Sequence, residues 1–261
     1  MMMKRNRMAM GKMKKTPDRK KNILPKVIVG MSGGTDSSAA AAILKKKGHE
    51  IIGITLSLWD DASRCCNYDD IMDAKKVCGK LGIKHYTINA KTEFRKKVVD
   101  YFVSEYLKGR TPNPCIICNE RIKFEFLIKK MKELGFDRVA TGHYCRIGIW
   151  NGQYAVKEGK DRKKSQAYFL AGIRKEFLPY ILFPLGNLEK KDAVRKAAEA
   201  GLKTGKKESQ EACFLKPGET PFEFINRYGD VKKEPASLYS TDEKKLGKLK
   251  YGYYKYTIGQ R

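Results

Sequence analysis

Val27-Ile28-Val29-Gly30-Met31-Ser32-Gly33-Gly34-Thr35-Asp36-Ser37-Ser38 is the stretch around which the rest of the chain is organised. Its first residues are apolar and β-branched, with Met31 just beyond, and read as a buried strand. An alanine-rich helix from Ala39 to Lys47 follows. A strand that ends in glycines and opens a helix is a phosphate-binding device. Gly33 and Gly34 lack a Cβ, so the main chain can turn sharply and approach a ligand. The helix N-terminus then offers free N–H groups and the positive end of its dipole to an anion. Ser32, Ser37 and Ser38 add hydroxyls. Asp36 is placed either to hold Mg²⁺ on a phosphate or to cap the helix. No Gly-Lys-Ser/Thr follows the glycines, so this is not a Walker A loop, and the Gly-x-Gly-x-x-Gly dinucleotide pattern is absent too.

The string Ser-Gly-Gly-x-Asp-Ser after a strand resembles the PP-loop of the ATP pyrophosphatases. That resemblance implies cleavage of ATP between its α and β phosphates, with adenylation of a carbonyl oxygen.

Strands and helices alternate outward from this loop. Glu50 to Leu58 and His85 to Ile88 read as strands, and Arg138 to Ala140 as a short one. Asp69 to Leu81, Phe94 to Leu107 and Ile122 to Leu134 carry apolar residues at helical spacing. Alternation of this kind predicts an α/β fold with a doubly wound parallel sheet, whose ligands bind at the carboxyl ends of the strands. Gly30 to Ser38, Leu56 to Asp61 and Thr141-Gly142-His143-Tyr144 all fall at such ends. Arg146 to Val156 reads as a hairpin turning at Asn151-Gly152. Asp192 to Ala200 reads as a helix closed by Gly201. From Pro217 short strands and turns take over, with a short helix at Phe222 to Tyr228 and strands at Ala236 to Tyr239 and Lys250 to Ile258.

The 261 residues carry 55 basic against 29 acidic side chains, a formal charge of +26. Such a bias fits a polyanionic partner, nucleic acid first. Hydrophobic content of 41% excludes global disorder. The first 25 residues form a basic, methionine-rich tail expected to be disordered. No run of about 18 apolar residues and no signal-peptide core occurs, which points to the cytoplasm and to reduced thiols. Seven cysteines are present. Cys78 lies on an apolar helix face and Cys145 in a strand, so both read as core. Cys65, Cys66, Asp60 and Asp61 read mainly as loop residues. His143 either contacts the nucleotide or is satisfied by backbone.

Two stretches suggest thiol chemistry: Thr111-Pro112-Asn113-Pro114-Cys115-Ile116-Ile117-Cys118-Asn119 and Glu208-Ser209-Gln210-Glu211-Ala212-Cys213-Phe214. In the first, two prolines fix an extended approach and a helix is expected to start just beyond the cysteines. Arg110, Arg121 and Lys123 nearby favour thiolate, hence a nucleophile or a metal ligand. A Cys-x-x-Cys alone leaves a redox pair and half a zinc site both open.

The motifs in series carry a sharper resemblance. The PP-loop is followed by Thr-Pro-Asn-Pro-Cys-x-x-Cys-Asn with Ile-Lys-Phe, then Ala-Thr-Gly-His-Tyr and Lys-Ser-Gln-x-Tyr-Phe-Leu. Phe-Pro-Leu-Gly, Ser-Gln-x-x-Cys-Phe and Tyr-Thr-Ile-Gly-Gln-Arg complete the order. From about residue 26 to 261 the chain resembles the tRNA-specific 2-thiouridylases. The resemblance implies ATP-dependent 2-thiolation of the wobble uridine of tRNA, with release of AMP and pyrophosphate. It implies that Gly30, Met31, Ser32, Gly33, Gly34, Thr35, Asp36, Ser37, Leu56 and Gly142 bind ATP. Asn113, Pro114 and Cys115 would approach the target base, and Lys164, Ser165 and Gln166 would contact tRNA. Cys118 would be the nucleophile and Cys213 the persulfide carrier, charged by a sulfur-donor protein, with free sulfide as the sulfur source only on the cluster route below.

Many relatives carry Asp at the Cys115 position. Three thiols therefore leave two routes: a Cys213 persulfide released by disulfide formation with Cys118, or a [4Fe–4S] cluster on Cys115, Cys118 and Cys213. The implied architecture is a PP-loop domain (26–216), a small central domain (217–261) and a β-barrel. The sequence stops at Tyr-Thr-Ile-Gly-Gln-Arg where the barrel would follow, so Tyr251, Tyr253, Tyr254 and Tyr256 are expected to lack partners. The competing functions are another PP-loop enzyme and a catalytically impaired tRNA-binding fragment.

Overall fold

The computed structural model describes residues 24–59, 68–202, 212–229, 235–249 and 252–256. Residues 1–23 of the basic tail, Asp60, Asp61, Cys65, Cys66, Glu208 to Gln210 and the terminal Thr-Ile-Gly-Gln-Arg lie outside these.

β1 (Val27–Gly30) leads through the glycine loop into α1 (Thr35–Lys46), which opens four residues earlier than its alanines suggest. β2 (Ile51–Ser57), α2 (Tyr68–Lys80) and β3 (His85–Asn89) follow. α3 is continuous through Lys91–Phe94, a wide π turn at Arg95–Val99, and Asp100–Leu107. α4 likewise runs through Pro114–Cys118, a π turn at Asn119–Lys123, and Phe124–Glu133. β4 (Arg138–Ala140) then pairs parallel with β1. The hairpin β5 (Cys145–Trp150) and β6 (Gln153–Glu158) turns at Asn151 and Gly152, with φ of 47° and 74°, the left-handed pair that a two-residue hairpin turn requires. A two-residue strand, β7 (Ile181–Leu182), closes the sheet, and α5 (Lys190–Glu199) packs behind it.

The central sheet has five strands in the order β3-β2-β1-β4-β7, all parallel. The doubly wound expectation is met. Ile28, Ile54 and Leu56 face a cluster with Phe94, Val98, Phe102, Ile122 and Leu127 of α3 and α4. Val27, Val29 and Met31 face Ala41, Leu44, Ala74 and Cys78 of α1 and α2. Alternate residues of β1 thus serve opposite layers, as the pleat demands. The run Ala39 to Ala42 has a second use. Ala39, Ala40 and Ala42 meet Ala193 and Ala197, and methyl-sized side chains let α1 and α5 approach closely.

Two expectations need correction. The strand expected over Lys250 to Ile258 is replaced, in its described part, by a 3-10 turn at Tyr253–Lys255. The partner of β8 (Ala236–Tyr239) is instead β9 (Lys245–Leu249). The tyrosines of that turn are also engaged: Tyr253 donates to the Leu107 carbonyl, and Tyr254 is buried and stacks on Phe222. α6 (Pro221–Tyr228) opens with a reciprocal Thr220–Glu223 capping box and Pro221 in its first turn. It sends Phe224 against Phe102 and Phe214, so this helix shares the main core.

Candidate functional site

Strand order reverses at β1: β2 and β3 lie on one side, β4 and β7 on the other. Ligands of open α/β sheets bind in the crevice outside the carboxyl ends of the strands at that switch point. Gly30 to Ser38 leaves β1 there, and Thr141 to Tyr144 leaves β4 beside it. The two loops touch. A Cβ on Gly142 would lie 2.6 Å from the Asp36 carbonyl carbon and 2.7 Å from the Ser37 nitrogen. Gly33 has φ of +71°, and a Cβ there would meet the Asp70 oxygen at 2.4 Å.

Serine hydroxyls brace the loop from inside. Ser37 Oγ donates to the Gly34 carbonyl (3.1 Å) and accepts from the Ser32 N–H (3.2 Å). Its single proton is then used, so Ser32 Oγ, 3.1 Å away, is the donor between the two hydroxyls. Ser38 Oγ also donates to the Gly34 carbonyl (2.8 Å). No side chain caps α1 at Gly34, which leaves first-turn N–H groups for an anion. Leu56 buries its side chain in the core at the end of β2, so only its main chain is offered to a ligand.

Asp36 does something the sequence did not suggest. It does not cap α1. Its carboxylate accepts from the Tyr144 hydroxyl (2.8 Å) and from Lys190 Nζ (2.8 Å to each oxygen). Lys190 sits in the first turn of α5 and reaches Asp36 because the alanine face brings α5 against α1. For Mg²⁺ the fit is therefore poor: the one carboxylate in the loop is already committed to an ammonium.

The cysteine helix points into the same region. α4 leads into a strand parallel to β1 and so runs antiparallel to the sheet, with its N-terminus at the carboxyl edge. Contrary to expectation the helix begins before the cysteines, at Pro114, with Asn113 accepting from the Cys115 N–H at 3.1 Å. Cys115 and Cys118, three residues apart, share one helix face. Cys118 is buried and Cys115 half-buried. Cys213 is half-buried and packs against the cluster that holds Cys118; next to it, Phe214 sits edge-on to Trp59, just beyond β2, and to Phe94. No disulfide joins these three cysteines to one another. Among the described residues no group of three or more His, Cys, Asp or Glu side chains is close enough to hold a metal ion. The ligand set expected for a [4Fe–4S] cluster is thus not gathered. Burial pushes the Cys78 thiol up to about 11 and that of Cys145 up as well, which marks both as inert core residues.

The family model described as "tRNA methyl transferase HUP domain" matches residues 25–217. The chain is 44% identical to the tRNA-specific 2-thiouridylase MnmA of Clostridium acetobutylicum, over 90% of this chain and 68% of that protein. It is 45% identical to the same-named protein of Caldicellulosiruptor saccharolyticus, over 90% and 68%, and 43% to that of Geotalea uraniireducens, over 93% and 67%. This chain belongs to the tRNA-specific 2-thiouridylase family. It spans about two thirds of the length of these relatives. Among solved structures, the NMN synthetase of Francisella tularensis is similar at a TM-score of 0.40 and 21% identity, over 69% of this chain and 63% of that one.

The matched region includes every thiouridylase motif from the PP-loop to Cys213. Lys164, Ser165 and Gln166 lie where a 3-10 turn (Arg162–Lys164) gives way to the next (Ala167–Leu170). Gln166 is tied to the loop after β4: its Oε1 accepts from the Tyr144 N–H (3.1 Å), and its N–H donates to the Tyr144 carbonyl (3.2 Å). Asn119 is buried next to Cys118; its Nδ2 donates to the Phe169 carbonyl (2.9 Å), and its Oδ1 has no protein partner among the described residues. His143 Nδ1 pairs with Thr141 Oγ1 at 2.8 Å, and the ring packs against Phe124 and Phe183, which also touch each other. Burial, with the Lys123 charge second, pushes it down to about 3, so it is a neutral imidazole at pH 7. Tyr144 and Asn119 stood inside recognised motifs but were given no role of their own, and nothing local marked Lys190 among its many lysine neighbours.

Proposed function

We propose that this chain catalyses ATP-dependent 2-thiolation of the wobble uridine of tRNA. The observation that carries the reading is that an uncapped glycine-loop helix and a helix with Cys-x-x-Cys in its first turns both open at the carboxyl edge of one parallel sheet. Methyl transfer, which the family model's description mentions, does not call for a pyrophosphate cradle.

The chemistry follows from the poor electrophilicity of uracil C2. The C2 oxygen attacks the α-phosphate of ATP, and pyrophosphate leaves onto the α1 N–H groups and the loop of Ser32 to Gly34. The terminal sulfur of a Cys213 persulfide then attacks C2 and expels AMP. The Cys118 thiolate attacks Cys213 Sγ, which releases the thiouridine sulfur and leaves a Cys118–Cys213 disulfide for an external reductant to reset. Neutral His143 serves as a hydrogen-bonding group through Nε2, not as a cation. Because Asp36 is committed to Lys190, no step is assigned to Mg²⁺ here, and the positive charge beside the loop is that of Lys190. Lys164 to Gln166 would grip tRNA, with Asn113, Pro114 and Cys115 next to the base. Residues 26–216 would form the nucleotide and thiol unit, and residues 217–261 the small central domain, whose α6 packs into the core of that unit. A soluble cytoplasmic setting is consistent with the described residues, where no helix is long and apolar enough to cross a membrane.

The test is mass spectrometry of a wobble-uridine tRNA incubated with the chain, ATP, Mg²⁺ and a persulfide source. An oxygen-to-sulfur mass change with AMP and pyrophosphate as co-products is expected. ADP and phosphate, or an added methyl group, would overturn the reading.

A further inference from the structure

The contacts of Asp36 belong to a larger circuit. From Asp36 one path leads to the Tyr144 hydroxyl (2.8 Å), and the Tyr144 main chain is bonded on both sides to Gln166. From Asp36 the other path leads to Lys190 Nζ (2.8 Å). The Lys190 N–H donates to Asp161 Oδ2 (3.1 Å), and Asp161 Oδ1 accepts from the Lys164 N–H (3.3 Å). Lys164 and Gln166 are two residues apart, so the circuit closes. Its ends are the two segments that bind different ligands: the second residue of α1, beside the phosphate cradle, and the Lys164-Ser165-Gln166 turn.

Each link is chemically specific. Asp161 spends one oxygen on each branch, capping the Arg162–Lys164 turn with one and the first turn of α5 with the other. Lys190 also lies 5.7 Å from the centre of the Tyr144 ring, so both partners of Asp36 constrain each other. The Gly142 contact then locks the Tyr144 loop to the Asp36 backbone. Three of the circuit's segments are turns or loops, which cost conformational entropy to order. A ligand that orders one end pays that cost for the other.

We infer that Tyr144 and Lys190 are positioning residues that couple nucleotide binding at the PP-loop to RNA binding at Lys164 to Gln166. The inference rests on the thiouridylase reading above and goes beyond it, because neither residue needs to touch ATP, uridine or sulfur. Coupling through shared ordering is reciprocal: tRNA tightens nucleotide binding by the factor by which nucleotide tightens tRNA binding. It also restrains adenylation in the absence of RNA, since the cradle is fully ordered only when the RNA turn is.

The experiment uses the 261-residue chain, a non-hydrolysable ATP analogue and a wobble-uridine tRNA, each titrated with and without the other. The coupling factor is a ratio of affinities, so it is insensitive to a uniform loss of either one. For the wild type a factor of about fivefold or more is expected in both directions. Tyr144→Phe deletes only the hydroxyl and Lys190→Met only the ammonium; each is expected to bring the factor close to one. Lys190→Arg keeps the charge and is expected to retain part of it. Hydrogen exchange at the Lys164 and Gln166 amides is expected to slow on nucleotide binding in the wild type and not in Tyr144→Phe. A wild-type factor of one, or a factor unchanged in both Tyr144→Phe and Lys190→Met, overturns the inference while leaving the function standing. A wild type that binds no nucleotide at all overturns the function itself.

Discussion

Glycines in a phosphate loop are usually explained together, but this structure separates them, and the separation is testable. Gly34 has φ of −88°, and the nearest neighbour to an added Cβ is Ser32 Oγ at 3.4 Å, an ordinary contact. Gly34→Ala therefore loses only N-cap preference and should cost less than about 1 kcal/mol. Gly142→Ala would press a methyl against the Asp36 and Ser37 main chain at 2.6–2.8 Å. Backbone cannot rotate aside as a side chain can, so a typical overpacking cost of about 1–3 kcal/mol applies, with the β4 loop pushed off α1. Gly33→Ala adds to a similar clash, at 2.4 Å from the Asp70 oxygen, a left-handed conformation at about 1–2 kcal/mol. The expected order of damage is Gly33, then Gly142, then Gly34, read from urea midpoints at constant slope. Pyrophosphate release should follow the same order for Gly142 against Gly34, because only the former moves Tyr144 away from Asp36. If Gly34→Ala loses as much stability as Gly142→Ala, the close approach of the two loops is not what makes position 142 glycine.

Cys118→Ala and Cys213→Ala should each abolish thiolation while leaving nucleotide affinity within about threefold, and Cys115→Ala should be milder because the three thiols form no common ligand set; equal loss in all three, with iron in anaerobically purified protein, would reverse that. His143 supplies a pH test with a definite sign. Its folded pKa lies near 3, below the usual 6.5, so the unfolded state binds the proton first and stability falls as pH drops below about 6.5. The ring keeps some contact with solvent, which reduces the full value to on the order of 1–2 kcal/mol between pH 7.5 and 5. His143→Gln should flatten that part of the profile, and an unchanged profile would show that the imidazole is not held neutral. With a formal charge of +26, tRNA affinity should fall on the order of a thousandfold between about 50 and 200 mM salt if six or more phosphates are engaged; a flat dependence in filter binding would contradict a phosphate-led grip.

Much of this architecture was legible because its causes are local. Val27 to Val29 could only be a strand between two apolar layers, and Asn151-Gly152 could only be a tight hairpin turn. What escaped has non-local causes. α4 starts at Pro114, ahead of the cysteines, because Asn113 caps it and Pro114 suits a first turn, and two prolines in four residues masked that as an extended approach. The π turns at Arg95–Val99 and Asn119–Lys123 leave no periodic trace over five residues. β7 is two residues long and exists because Val139 and Ala140 offer it an edge.

The role of Asp36 is the instructive failure. Its position in the string was read correctly, and its partners could not be, since one is 108 residues away and the other 154. Yet the sequence did contain the cause. Ala39 to Ala42 looked like helix propensity alone; in the fold those methyl groups set how near α5 comes, and that distance decides whether Lys190 can reach Asp36 at all. Ala40→Leu would wedge the two helices apart and should therefore weaken the Asp36–Lys190 pair without altering either residue. A double-mutant cycle of Asp36→Asn and Lys190→Met, run with and without Ala40→Leu, would measure that link: the coupling energy is expected to fall towards zero with Ala40→Leu, and an undiminished coupling would mean that the alanine face does not set the approach of α5.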